Sequence, residues 1–459
     1  MLYAILKLIY RVGLWVFFKK LEIRNKELIP NEGPLLVVSN HPNTFMDPVV
    51  IAAQLQQPVY FIAKSTIFGS SLQNWLLQRM HLIPIHRRED APGQPVNNDE
   101  AFAASFKALA TKKTLIIFPE GNSFNERRLR KIKTGTARIA LGAETQSNYS
   151  LGTKILPIGL NYSAPTRFRS NVFVNVGQPI SVADYAQAYQ SEDAAAILTL
   201  TEDIKQQLER LIINTPTEEE DELAKQIETI YKDKLIDEPS PTQEQEFVVS
   251  QSIVESIVFF SSKAPERVAA LKEDIKNYLL QLDTLRLQDS LLGKGKSSIL
   301  RHSLAAVLFL IIGFPAYVFG LVHNYIPYII PAKVARSVTK EKEWYAPIML
   351  TVGIFAFPIY YTFMAFVFWY WFPLIPSLLI YLVSLPVSGF FTLRYWSTLN
   401  NTHGQWLFLR LFFKRGSMVQ QLQRQAIINE LEQAKQEFLQ ERDAAKSQSS
   451  IAPTKTDLF

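Results

Sequence analysis

PLLVVSNHPNTFMD, residues 34–47, sets the terms on which the rest of the chain is read. A short apolar run with β-branched valines, ended by turn-forming residues, is the pattern of a buried strand. Just past its end stands His41, and six positions further on stands Asp47. Histidine exchanges protons near neutral pH, and a carboxylate on its second ring nitrogen would fix the tautomer and steady the imidazolium. The same residues also fit an ordinary turn, with Asp47 opening a helix before Pro48. The surroundings have to separate these readings.

Working outward, PVYFIA (58–63), TLIIFPEG (114–121), KILPIGLNY (154–162) and NVFVNVG (171–177) repeat the buried-strand pattern. Helical patterns lie between them at 97–113 and 134–146. The alternation predicts an α/β domain over residues 25–185, a mixed sheet covered by helices. Residues 1–24 hold MLYAILKLIYRVGLWVFFKK, in which Lys7 and Arg11 interrupt the apolar run. That favours an amphipathic helix lying in a membrane interface over a spanning one, with packing in the core of the first domain as the other reading.

Residues 186–300 change to amphipathic helical periodicity, with DEPSPTQEQ (237–245) as a linker. Residues 301–395 are the apolar part. APIMLTVGIFAFPIYYTFMAFVFWYW (346–371) and PLIPSLLIYLVSLPVSGFFTL (373–393) are long enough to form a transmembrane helical hairpin. The preceding run, 303–331, is punctuated by Gly313, Pro315, Gly320, Asn324 and Pro327 and fits a kinked span or a re-entrant hairpin. Lysines and arginines flank the region on both sides and occupy its internal loop. The positive-inside rule then favours an even number of crossings, with the re-entrant form and the first domain on the cytoplasmic side. Residues 396–459 read as a polar helical tail with a disordered end.

The chain of 459 residues carries a formal net charge of +6 and no cysteine. The basic balance suits anionic membranes or phosphorylated substrates. Absence of cysteine excludes disulfides, thiolate nucleophiles and Cys-ligated zinc. No nucleic-acid motif accompanies the basic charge. GKGKSS (293–298) follows a helix and has Ser290 where a phosphate-binding loop needs glycine, which excludes it as a nucleotide site.

Three further blocks carry chemistry. IPIHRRED (83–90) places Arg87 and Arg88 after an apolar run, where guanidinium groups suit phosphate. In IIFPEGNSFNERRLRKIKTG (116–135), Gly121 permits a tight turn, Glu120 suits a substrate hydroxyl or an arginine, and Ser123 suits a phosphate oxygen. The basic run that follows it is for the most part a solvated face. LPIGLNY (156–162) sets Pro157 in a strand near the site.

The order and spacing of Asn40-His41…Asp47, Arg87, Phe118-Pro119-Glu120-Gly121 with Ser123, and Leu156-Pro157-Ile158 resemble the glycerophospholipid acyltransferase family, typified by bacterial 1-acylglycerol-3-phosphate acyltransferases. The resemblance covers roughly residues 25–185. It implies an O-acyltransferase of phospholipid biosynthesis, acting without cofactor or metal. His41 would be the catalytic base and Asp47 its partner. Asn40, Arg87, Glu120, Gly121, Ser123 and Pro157 would bind substrate. The implied partners are acyl-CoA or acyl-carrier protein, a glycerophosphate or lysophospholipid acceptor, and membrane lipids. One departure stands out: the family's commonest spacing has four residues between His and Asp, and HPNTFMD has five. One extra residue rotates a helical side chain by about 100°, so the pair forms only if the segment is partly loop. The spacing and the long membrane region resemble the fungal glycerol-3-phosphate/dihydroxyacetone-phosphate acyltransferase branch. An acceptor other than a glycerol lipid, or a membrane scaffold without activity, are the other readings of the same residues.

Overall fold

The computed structural model describes residues 2–87, 97–236, 241–292, 296–412 and 417–451. Arg88, the first part of the 237–245 linker, the Gly-Lys-Gly of 293–295 and the last residues of the tail lie outside them. Two compact units are present. The first comprises Met1–Asn214 with Ile326–Thr362, and the second Thr215–Tyr325 with Phe363–Phe459.

The first unit runs α1 (Leu2–Phe17), β1 (Lys20–Arg24), β2 (Leu35–Ser39), α2 (Met46–Gln54), β3 (Val59–Lys64), α3 (Ser71–Arg79), β4 (Leu82–Ile85), α4 (Asp99–Ala110) and β5 (Thr114–Ile117). It continues with α5 (Gly135–Gln146), β6 (Lys154–Tyr162), β7 (Asn171–Val176), β8 (Ile180–Ser181), α6 (Ala186–Ser191) and α7 (Asp193–Leu211). The strands form one mixed sheet in the order β1-β7-β6-β2-β5-β3-β4, with β8 beside β6. All pairs are parallel except β6–β7 and β6–β8. β2 lies centrally, with Val38 opposite both Ile117 and Pro157. A strand covered on both faces reads as a continuous apolar run, which is why PLLVV and TLII were legible.

Side chains along β2 alternate between two cores. Leu35 and Val37 join Leu14 and Phe17 of α1, and Met46, Val50 and Ile51 of α2. Leu36 and Val38 join α4, α5 and the Ile197, Leu200, Ile204 and Leu208 stripe of α7. The α/β unit therefore extends past residue 185, because the apolar face of α7 covers the sheet. The first core also takes in Ala346 and Leu350, from the stretch 326–362. α1 is amphipathic and packs one face into the first core. Leu14 and Phe17 are buried, while Leu8, Val12 and Trp15 on its other side are exposed.

The second unit holds α8 (Glu218–Leu235), α9 (Gln243–Lys263), α10 (Pro265–Thr284) and the short α11 (Asp289–Leu292). It also holds parts of α12 (Lys296–Val338) and α13 (Tyr345–Trp371), which divide between the units, and α14 (Ile375–Phe412) and α15 (Ser417–Ile451). Capping boxes at Thr217/Glu220 and Thr242/Gln245 start α8 and α9. The tail helix α15 does not stand free. It buries Ile427, Ile428 and Leu431, and its Glu430 and Glu437 pair with Arg267 of α10 at 2.5 Å each.

Three helices, Ser303–Val338, Lys342–Trp371 and Ile375–Thr402, are long and apolar enough to cross a membrane. The first is one unbroken helix, so the re-entrant hairpin expected there does not form. Its glycines serve close approach instead of chain reversal: a methyl group on Gly320 would overlap Thr392 and Ser388 of α14. Asn324 donates to the Leu385 carbonyl at 3.2 Å, satisfying a buried amide between the same two helices.

Candidate active site

β2 ends at Ser39, and the next two residues have different tasks. The Asn40 amide is clamped to β6: Nδ2 donates to the Leu160 carbonyl at 3.0 Å, and Oδ1 accepts from Leu160 N–H at 2.8 Å. It is buried and fixes the strand end. His41 then turns into a cleft of about 1380 Å³.

Asp47 Oδ2 lies 2.8 Å from His41 Nδ1. The extra residue of HPNTFMD is absorbed before α2 begins. Thr44 takes a left-handed conformation at φ 36°, and Asn43 N–H donates to the same Asp47 Oδ2 at 2.7 Å. Thr44 is held there by its hydroxyl, which donates to the Glu343 carbonyl at 3.0 Å. Asp47 occupies the first turn of α2, where the helix dipole favours a negative charge. Its other oxygen accepts from Tyr162 Oη at 2.7 Å. Burial, and then the Asp47 charge, push the Tyr162 hydroxyl well above its ordinary range, so it stays a donor. The Asp47 carboxylate accepts the hydrogen bond from Nδ1–H and so leaves Nε2 of His41 as the lone-pair nitrogen. The Phe118 ring stacks on the imidazole at 4.0 Å between centroids and sets its plane.

Glu120 does not point into the cleft. Its carboxylate accepts from His41 N–H at 2.9 Å and from Arg130 N–H at 3.1 Å. Burial raises its pKa above the ordinary value and outweighs these two bonds, which pull it down. Gly121, at φ 81°, makes the turn, and Lys133 packs where its side chain would be. Arg87 Nη1 donates to the Gly121 carbonyl and to Asn122 Oδ1, both at 2.5 Å.

The residues expected from the sequence thus divide. His41, Arg87, Gly121 and Ser123 line the cleft. Asp47 and Glu120 stand behind them as buried partners. Pro157 is inside β6, its carbonyl accepting from Gly177 N–H at 2.9 Å, and does not line the cleft. Sequence reasoning missed the roles of Tyr162, Thr44 and Phe118, although all three lay inside quoted stretches, and it missed Glu343, which lay in none. The cleft lining combines apolar residues, among them Val49, Phe61, Ile62 and Phe102, with the basic Arg87, Lys131, Lys133 and Arg138 and the acidic Glu341 and Glu343. Among the described residues no group of His, Asp or Glu is placed to hold a metal.

Residues 20–161 match the family model described as Acyltransferase. Glycerol-3-phosphate O-acyltransferase 2 of Saccharomyces cerevisiae is 28% identical over 202 residues, which is 43% of this chain and 26% of that protein. Glycerol-3-phosphate O-acyltransferase 1 of the same yeast is 28% identical over 214 residues, 45% of this chain and 27% of that one. The chain spans about a quarter of the length of these two relatives. Among solved structures, the 1-acyl-sn-glycerophosphate acyltransferase PlsC of Thermotoga maritima is similar at 20% identity and a TM-score of 0.33, covering 46% of this chain and 79% of that one.

Proposed function

We propose that this chain, whose residues 20–161 are of acyltransferase-family sequence, is a membrane-bound O-acyltransferase of phospholipid biosynthesis. It transfers a fatty acyl group from the thioester of acyl-CoA or acyl-carrier protein to a hydroxyl of a glycerophosphate-type acceptor, glycerol-3-phosphate or lysophosphatidate. The observation that carries this reading is the His41–Asp47 pair at 2.8 Å, opening on a cleft lined by both apolar and basic residues. Apolar lining suits an acyl chain, and basic lining suits a phosphate.

In this mechanism His41 Nε2 removes the proton from the acceptor hydroxyl. The oxygen attacks the thioester carbonyl and forms a tetrahedral intermediate. Its collapse breaks the C–S bond, and the imidazolium returns the proton to the departing thiolate. Asp47 holds the imidazolium throughout. The products are an ester and a free thiol, with no covalent acyl-enzyme. Arg87 and Glu120 hold the Gly121–Ser123 turn in shape beside the reacting groups. The three long apolar helices keep the cleft near its lipid product, with the α/β unit on the cytoplasmic side.

The test is acyl transfer by purified protein offered glycerol-3-phosphate, dihydroxyacetone phosphate and lysophosphatidate side by side, with products read by mass spectrometry. Transfer to a small phosphate acceptor is expected. His41→Ala should lower the rate by about 10² to 10⁴ with the thermal melt unchanged. A variant that keeps wild-type rates would remove His41 from the chemistry.

A further inference from the structure

The loop between His41 and Asp47 is held by a part of the chain that the acyl-transfer chemistry does not call on. Thr44 is 4% exposed and sits at φ 36°. Among the described residues it is the one β-branched residue with a positive φ, a conformation such side chains keep only when their surroundings impose it. Its placement bears directly on the pair, because the Thr44 carbonyl accepts from Asp47 N–H at 3.3 Å where α2 starts. Asn43 and Thr44 are both tied outward. Asn43 Nδ2 donates to the Pro165 carbonyl at 2.9 Å, and the Thr44 hydroxyl donates to the Glu343 carbonyl at 3.0 Å. Glu343 lies in a single helical turn, Lys342–Trp344, between α12 and α13. That turn is itself fixed. Glu341 N–H donates to the Thr339 hydroxyl at 3.1 Å before it, and Ala346, just after it, is fully buried in the first core. Glu341, Glu343 and Trp344 line the cleft together with His41 and Thr44.

We propose that this turn is part of the catalytic apparatus: by holding the Thr44 hydroxyl, the Glu343 carbonyl sets the start of α2 and with it the Asp47 carboxylate at His41 Nδ1. Thr44 is then a positioning residue, and the link between two long apolar helices completes a catalytic pair that the sheet only begins. The five-residue spacing of HPNTFMD is what creates the need. The added residue has to leave the helical path, and it does so at a left-handed Thr44. Without the clamp the loop relaxes toward ordinary φ values and turns Asp47 away from the imidazole. The proposal rests on His41 acting as the base of the reaction proposed above; the protonation pattern of its ring can be read without it.

The experiment uses the full chain in lipid nanodiscs. It measures kcat and KM for acyl-CoA and glycerol-3-phosphate, and the His41 tautomer by nitrogen NMR of isotope-labelled histidine, with the His41 signals identified by their loss in His41→Ala. Thr44→Val keeps the side-chain shape and removes the hydroxyl. It should lower kcat about tenfold to a hundredfold, the cost of a small misplacement, with both KM values in place. It should also turn the single neutral form of His41, protonated at Nδ1, into a mixture of tautomers. Thr44→Ser restores the hydroxyl and should restore both readouts. Thr44→Gly takes the left-handed conformation without strain, so it stays folded even where Thr44→Val does not; lacking the hydroxyl, it should be as slow as Thr44→Val. A short glycine insertion after Lys340 moves the Glu343 carbonyl and should slow kcat to the same degree. Adding Thr44→Val to it should cost nothing more, because both changes cut one contact. Wild-type kcat in Thr44→Gly would make the left-handed turn sufficient and overturn the clamp. So would losses that multiply in the combined variant, a raised KM with kcat unchanged, or a single tautomer in Thr44→Val. Wild-type rates in His41→Ala would remove the functional reading instead. A tautomer change in Thr44→Val would still support the clamp in a chain that transfers no acyl group.

Discussion

Asp47 is the residue on which the site converges. It is fully buried and accepts hydrogen bonds from His41, Asn43 and Tyr162. Tyr162→Phe deletes one donor to a buried charge, which costs about 1.5–3 kcal/mol of stability. It should also slow acyl transfer at saturating substrate, because Asp47 would be freer to move under His41. Denaturant melts and kcat on the same preparation check both, and no change in either would show the bond to be idle. Glu120 gives a pH prediction. Its folded pKa is raised by burial above its ordinary value, so it holds its proton more tightly folded than unfolded. Its stabilising contribution is complete below its ordinary value of 4.5 and is lost as pH rises through the folded pKa. The melting temperature of wild type relative to Glu120→Gln should therefore fall between acid and neutral pH. A constant difference would show that the carboxylate ionises on folding as it does in the open chain.

Elements were legible where one local pattern sufficed. β2 and β5 are apolar throughout and covered on both faces, and their identity followed from composition. β1, KLEIR, is an edge strand with charged residues at every second position, and no run marks it. The period of α7 showed that it has an apolar face but not what that face covers. The His–Asp spacing posed the same difficulty within one motif. Formation of the pair depends on a left-handed Thr44, which is tied to a residue almost 300 positions away. Tyr162 reaches Asp47 from β6, and no spacing rule connects the two. The first turns of α13 repeat the lesson, since a stretch that reads as membrane span supplies Leu350, 3% exposed, to the core of the α/β unit. Leu350→Ala should destabilise that unit by about 2–5 kcal/mol. A melt monitored through α/β-unit fluorescence would detect it; a purely lipid-facing Leu350 would leave the transition in place.

At the scale of the molecule, the long apolar helices predict that alkaline carbonate leaves the protein in the membrane fraction. The division into units predicts that a chain ended near residue 236 is inactive. It would keep His41 and Asp47 but lose Ala346 and Leu350 from the core they share with α1 and α2. Activity in that shortened chain would show the later segment to be an anchor alone. The α/β unit is also completed by residues that follow its own sheet by the whole of 215–325. Translation runs at about 5–20 residues per second, so the sheet emerges from the ribosome on the order of ten seconds before its last core residues exist. During that interval the face of α1 that Leu350 will cover at Gly13 is open, and the nascent domain reaches its final packing only when the first turns of α13 have been made.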